Sequence, residues 1–96
     1  MPTQTRVGDN DTGHDACPPR PLAEGSPDVF INGIPAGRVG DAYALHGCPV
    51  HPAHGGVIAS GSSTVFINGK PAGRIGDAVS CGGSVMEGSP DVFVGG

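Results

Sequence analysis

Residues 25–42, GSPDVFINGIPAGRVGDA, and residues 61–78, GSSTVFINGKPAGRIGDA, align without gaps and are identical at 14 of 18 positions. A chain that repeats itself this closely places its copies in equivalent surroundings, so the fold is built from stacked or cyclically arranged units. A third copy opens at Gly88 as GSPDVFVGG and stops at the last residue, while RVGD at 6–9 matches RVGD at 38–41 and RIGD at 74–77. The two ends complement each other. Counting each unit from its Arg divides a single domain, 1–96, into units 6–37, 38–73 and 74–96. Open solenoids carry whole repeats between capped ends, so we expect a closed ring of three units with pseudo-three-fold symmetry.

Within each unit the same elements recur. VFI at 29–31, VFI at 65–67 and VFV at 92–94 are β-branched and aromatic, are preceded by GSP or GSS, and read as short strands. Asn-Gly at 32–33 and 68–69 is the strongest short hairpin signal, because a type I′ turn needs positive φ at both central residues. The chain then returns through PAGR into a second turn at Gly-Asp. Strand alternation places Val29 and Ile31, and likewise Val65 and Ile67, on one face against a shared core, with Phe30 and Phe66 on the other. No window shows helical periodicity, so the expected fold class is all-β.

Hydrophobic burial is a weak source of stability here. A chain of 96 residues with 18 Gly, 10 Pro, no Trp and 4% aromatic residues has little from which to make a core, and small domains of this kind usually carry a covalent or metal staple. The net charge of −4 and the scattering of five Lys and Arg leave no basic stripe, so neither nucleic acid nor an anionic membrane surface is an expected partner. The N-terminus MPTQTRVGDN has no apolar segment of signal-peptide type, so the chain is expected to be made in the cytoplasm without a signal peptide.

Three cysteines and four histidines supply the staple. His14 lies six residues beyond Gly8 and His46 six beyond Gly40; His54 lies eight before Ser62 and Cys81 eight before Ser89. Each pair is a pair of repeat equivalents. The set His14, His46, His54 and Cys81 draws on all three units and gives the His3Cys tetrahedron that zinc prefers. Alternatives remain at this level. Cys17 and Cys48 follow His14 and His46 closely, and could be ligands or form a disulfide that leaves Cys81 free; His51 competes with His54. Arg38 and Arg74, each three before an Asp, are expected to brace a turn, and Asp28, Glu87 and Asp91 to be solvated surface. No pair of carboxylates suggests acid-base catalysis, so no enzyme activity is expected.

PAGR at 35–38 and 71–74, with VFING before and GD after, resembles the PAAR motif with Gly37 and Gly73 in place of its second Ala. The resemblance extends to GH at 13–14, HGC at 46–48, HGG at 54–56, SCGG at 80–83 and the closing GSPDVFVGG, and so covers nearly the whole chain. It implies a small cone of β-hairpins that caps the flat end of a trimeric, VgrG-like spike in type VI secretion or phage-like tails. It also implies one tip per trimer, a monomer by itself, and zinc near the vertex held by the same His14, His46, His54 and Cys81. The tip would leave the cell with the spike, meet the target membrane transiently and travel with effector proteins, none of them fused to this chain. The departure at Gly37 and Gly73 removes one methyl group each and is expected to leave the fold intact. A zinc-dependent hydrolase is the weaker alternative, because four protein ligands close the coordination sphere.

Overall fold

Asn32 and Gly33 have φ of 55° and 77°, and Asn68 and Gly69 have φ of 54° and 76°, the doubly positive pair of a type I′ turn. A computed structural model describes residues 1–13, 17–44, 46–48 and 51–96, with segments 46–48 and 51–54 given by backbone alone, and these turns make two of the three antiparallel hairpins among the described residues. Strand β1 (Phe30–Ile31) pairs with β2 (Ile34–Pro35), β3 (His46–Cys48) with β4 (His51–His54), and β5 (Phe66–Ile67) with β6 (Lys70–Pro71). Among the described residues there is no helix. The all-β expectation holds, with strands of two to four residues sewn together by isolated bridges.

The third copy closes on the N-terminus. Phe93 bridges Thr3, the Val94 N–H donates to the Pro2 carbonyl at 2.8 Å, and the Gln4 N–H donates to Val92 at 3.0 Å. The same bonds join Phe30 to Pro35 and Ala36 to Val29, and Phe66 to Pro71 and Ala72 to Val65. At the centre, the Thr5 N–H donates to Gly73, the Gly73 N–H to Gly37, and the Gly37 N–H back to Thr5, at 3.0, 3.0 and 2.9 Å. This is a closed cycle of three hydrogen bonds through the residues that precede Arg6, Arg38 and Arg74.

Every unit then turns at its Arg-Val-Gly-Asp or Arg-Ile-Gly-Asp. The Asp N–H donates to the Arg carbonyl at 3.0 Å in all three, and Gly8, Gly40 and Gly76 take φ of 93°, 95° and 92°, which fits type II turns with glycine at the third position. Each Asp carboxylate accepts from its Arg backbone N–H and from both Nε and Nη2, as in Arg38 to Asp41 at 2.8, 2.9 and 2.9 Å. The expected bracing role of Arg38 and Arg74 is therefore observed, and Arg6 shares it.

Two apolar clusters form among the described residues. Leu22, Ile58 and Val85, each four residues before the repeat serine, meet with Tyr43 and Val79 in one; Ala36, Ile67, Ala72 and Val94 form the other, with Val29 and Ile31 against it. The inward face of the VFI strands is thus as expected, except that Val65, standing just before the paired residues of β5, remains 38% exposed. The central cycle has room for a single side chain. Thr5 supplies it, fully buried, whereas a Cβ at Gly37 would lie 2.7 Å from Leu22 Cδ2 and 2.8 Å from Thr5 Cγ2, and one at Gly73 would lie 3.0 Å from Ile58 Cδ1. The glycines that depart from the motif are the ones that make space for threonine.

Serine-centred seams join the units. The Ser26 Oγ accepts from the Asp28 and Val29 N–H groups and donates to Asn68 Oδ1 at 2.7 Å; the Ser89 Oγ accepts from Asp91 and Val92 and donates to Asn32 Oδ1 at 2.6 Å. Arg38 and Arg6 donate to the same two amide oxygens, while the amide nitrogens donate to Asp28 and Asp91 at 2.8 Å each. In the remaining seam the Gly95 carbonyl takes the place of the amide and accepts from Ser62 and Arg74. Asp28 and Asp91 are exposed, but they are not idle surface. Hydrogen bonds from Asn68 and then Ser26 hold the Asp28 carboxyl below the usual range of carboxylates, and Asn32 and Ser89 do the same for Asp91. Glu87 likewise accepts from the Asn10 N–H at 2.7 Å.

Two outcomes follow from this architecture. Gly37→Ala is expected to destabilise by about 1–3 kcal/mol through overpacking, with Thr5→Ser in the same chain recovering part of the loss in a urea titration. Because Asp28 and Asp91 have folded pKa values below the ordinary 3.8, their stabilisation is complete above that pH and is lost as pH falls from it through the folded values. The melting temperature of Asp28→Asn/Asp91→Asn should accordingly fall less than that of the parent between about pH 4 and pH 2.

Candidate functional site

The expected ligands come from the stretches that follow each Gly-Asp turn. The β3–β4 register sets His46 opposite His54 and Cys48 opposite His51, with an irregularity between His46 and Cys48. Directly opposed positions of one antiparallel pair are places from which two ligands can reach one ion. His14 lies outside the described residues, and the imidazoles of His46, His51 and His54 lie outside the described side chains. Among the described residues no three His, Cys, Asp or Glu groups come together.

Cys81 is described in full. It follows Val79 through a turn closed by the Gly82 N–H on the Val79 carbonyl at 3.0 Å, is partly buried against the first cluster, and is a free thiol. Cys17 is buried and disulfide-bonded. Those two observations match the disulfide alternative for Cys17 and Cys81; its third member, the Cys48 sulfur, lies outside the described side chains. A sulfur engaged in a disulfide is not a thiolate ligand, so Cys17 gives way to Cys81 as a candidate.

A buried polar cluster that residue-type reasoning passed over lies directly beneath Cys81. Arg20 is 2% exposed and Asp11 0%. Asp11 accepts from the Arg20 backbone N–H at 3.1 Å, from Arg20 Nε at 3.1 Å and from the Gly13 N–H at 3.0 Å. The guanidinium lies over the Tyr43 ring at 5.7 Å and donates through Nη2 to Cys81 Sγ at 2.6 Å. Gly56 makes this approach possible, since a Cβ there would collide with Arg20 Nη2 and lie 2.8 Å from the Cys81 sulfur. Burial pushes the Tyr43 phenol well above its ordinary pKa, and its hydroxyl has no hydrogen-bond partner among the described residues. The repeat alignment could have exposed the cluster. Counted two residues past the turn Asp, Asp11 occupies the place of Tyr43 and Val79; counted two before the core aliphatic, Arg20 occupies the place of Gly56 and Gly83.

On the outer face of the hairpins, the three units present the same residue. Phe30, Phe66 and Phe93 are 54%, 57% and 55% exposed, each at the equivalent position of its hairpin. Large aromatic side chains left in water at three matched places are a feature of interaction surfaces.

Strand and turn alone among the described residues, Pro-Ala-Gly-Arg hairpins tied to the N-terminal segment, and a thiol and opposed histidine positions between the repeats define a small all-β repeat protein. The family model for the PAAR motif matches it twice, over residues 5–52 and 50–96, and the chain belongs to that family. The PAAR motif is associated with the spike-tip proteins of type VI secretion, and the family is structural and not enzymatic. No curated protein matches the sequence.

The sulfur chemistry generates its own test. Alkylation of the folded, metal-free protein followed by mass mapping should modify Cys81 and leave Cys17 unmodified until a reductant is added; modification of Cys17 in the unreduced protein would contradict the assignment.

Proposed function

We propose that the chain is the tip that caps and sharpens the trimeric, VgrG-like spike of a contractile injection machine of the type VI kind, one copy per trimer. The observation that carries this reading is the trio Phe30, Phe66 and Phe93, equally exposed on hairpins tied together by one cycle of backbone hydrogen bonds. A monomer seated on the axis of a homotrimer meets three identical surfaces. A chain of three similar units arranged with pseudo-three-fold symmetry can contact all of them at once, where an ordinary monomer contacts one.

Zinc is the second part of the proposal, with His14, His46, His54 and Cys81 as ligands. The free thiol of Cys81, the opposed positions of His46 and His54, and the engagement of Cys17 in a disulfide all suit that set. Bound there, the ion supplies a structural cross-link between units and, with four protein ligands, no open coordination position for catalysis. Ligands drawn from all three units would tie those units together through one ion and so stiffen the end of the body used to breach a membrane. The protein is 37 Å long and 24 by 22 Å across, an elongated form suited to that use. On this reading the chain is made in the cytoplasm, leaves with the spike, touches the target membrane transiently and travels beside effector proteins.

Two measurements test the reading. Phe30→Asp/Phe66→Asp/Phe93→Asp should fold normally, because surface substitutions of this kind usually change stability by less than about 0.5 kcal/mol, yet lose co-purification with a spike trimer that the parent binds at one chain per trimer. Binding by the triple variant, or three chains per trimer, would contradict it. Metal analysis of the purified protein should find one zinc per chain, lost in Cys81→Ser and His54→Ala; loss in Cys48→Ala or His51→Ala with retention in those two would overturn the ligand set.

A further inference from the structure

The three units offer an internal comparison that isolates one feature. At the position two residues past the turn Asp, unit two has Tyr43 and unit three Val79, both in the apolar cluster, while unit one has Asp11; at the position facing it, units two and three have Gly56 and Gly83, while unit one has Arg20. The same fold is therefore built twice without an ion pair and once with it. Replacing a buried ion pair by apolar side chains is often neutral or stabilising, so the pair is poorly explained as a source of stability.

What distinguishes the pair is where it points. Asp11 grips the backbone N–H and Nε of Arg20, the guanidinium lies over the Tyr43 ring at 5.7 Å, and Nη2 donates to Cys81 Sγ at 2.6 Å. Nη1 reaches the Ala44 carbonyl at 3.5 Å, two residues before β3 begins at His46. A guanidinium is planar and rigid, so a carboxylate on one edge fixes the direction of the donors on the other. Metals take cysteine as the thiolate, and a cationic donor is complementary to that charge. The Asp11 carboxylate in turn offsets the cation, which keeps the guanidinium compatible with a metal beyond the sulfur.

We propose that the buried Asp11–Arg20 pair is a positioning element that orients the Cys81 sulfur as a metal ligand. The proposal rests on the reading of Cys81 as one of the four ligands. Arg20 and Asp11 touch no metal themselves; they act through the sulfur, as outer partners of metal ligands generally do, and the loss of such a partner typically weakens metal binding by about 10- to 100-fold.

The test uses the full chain, zinc competition against a chromophoric chelator, and the sulfur-to-metal charge-transfer band after cobalt replaces zinc. Asp11→Asn/Arg20→Met removes both charges while leaving an acceptor for the Gly13 N–H. It is expected to melt, metal-free, no lower than the metal-free parent, to bind zinc about 10- to 100-fold more weakly, and to shift the cobalt band. Arg20→Lys keeps the charge against Asp11 but loses the fork, and is expected to fall between the two; it carries the test if the double variant fails to fold. Parental affinity and an unshifted band in these variants, with the band abolished by Cys81→Ser, would overturn the positioning role and leave the ligand set standing. Parental affinity and an unchanged band in Cys81→Ser would overturn the ligand reading and the positioning role with it.

Discussion

The structure depends on the three backbone hydrogen bonds that run from Thr5 to Gly73, from Gly73 to Gly37 and from Gly37 back to Thr5. Each joins residues far apart in sequence, so each closes a long loop, and the loop-closure entropy falls on the cycle as a whole. The same closure decides the side chains around it. Only one Cβ fits at the meeting point, and the chain places Thr5 there with glycine at 37 and 73. Because Thr5 belongs to the N-terminal segment, that segment pairs with residues 92–94 much as β2 pairs with β1 and β6 with β5.

Around this cycle the units are held in register by polar seams as well as by apolar contact. Each serine hydroxyl at 26, 62 and 89 accepts two backbone N–H groups within its own unit and donates across to the next. A net contribution of about 0.5–1.5 kcal/mol for each such bond makes the set comparable to the burial of several aliphatic side chains, at about 1.5–3 kcal/mol each. The seams are similar but unequal. Asn32 and Asn68 each bridge a serine, an arginine and an aspartate, whereas the Gly95 carbonyl reaches only a serine and an arginine, and Thr64 stands where Asp28 and Asp91 stand elsewhere. A three-fold partner would meet three faces that share Phe30, Phe66 and Phe93 and differ in charge at their edges.

The two Asn-Gly hairpins, the Arg-Asp braces and the outward phenylalanines were legible in the sequence, because each is local: a dipeptide that needs positive φ, an i to i+3 pair, a two-residue alternation. The complementary ends were legible for a different reason, since the RVGD at 6–9 repeats a pattern printed twice more. What stayed hidden was tertiary. Asp28 and Asp91 look like solvated charges until the neighbouring unit brings Asn68 and Asn32 to them, and Gly37 and Gly73 look like a minor departure from PAAR until Thr5 fills the space they leave. Asp11 and Arg20 escaped because their meaning lies in the columns where the repeats disagree, while register arguments attend to the columns where they agree. The candidate ligands were reached by register and family resemblance; of the four, Cys81 is the one whose side-chain surroundings are on view.

A tip that must present three matched faces under load cannot have one unit that opens on its own, so closure of the ring is the claim on which the functional reading stands. Native-state amide hydrogen exchange of Thr5, Gly37 and Gly73 tests it most directly. The account expects these three amides to exchange only through global unfolding, with the same free energy and the same dependence on denaturant. Exchange of Thr5 at a markedly lower free energy than Gly37 and Gly73 would show the N-terminal segment detaching by itself, and would contradict a ring closed by the chain's two ends.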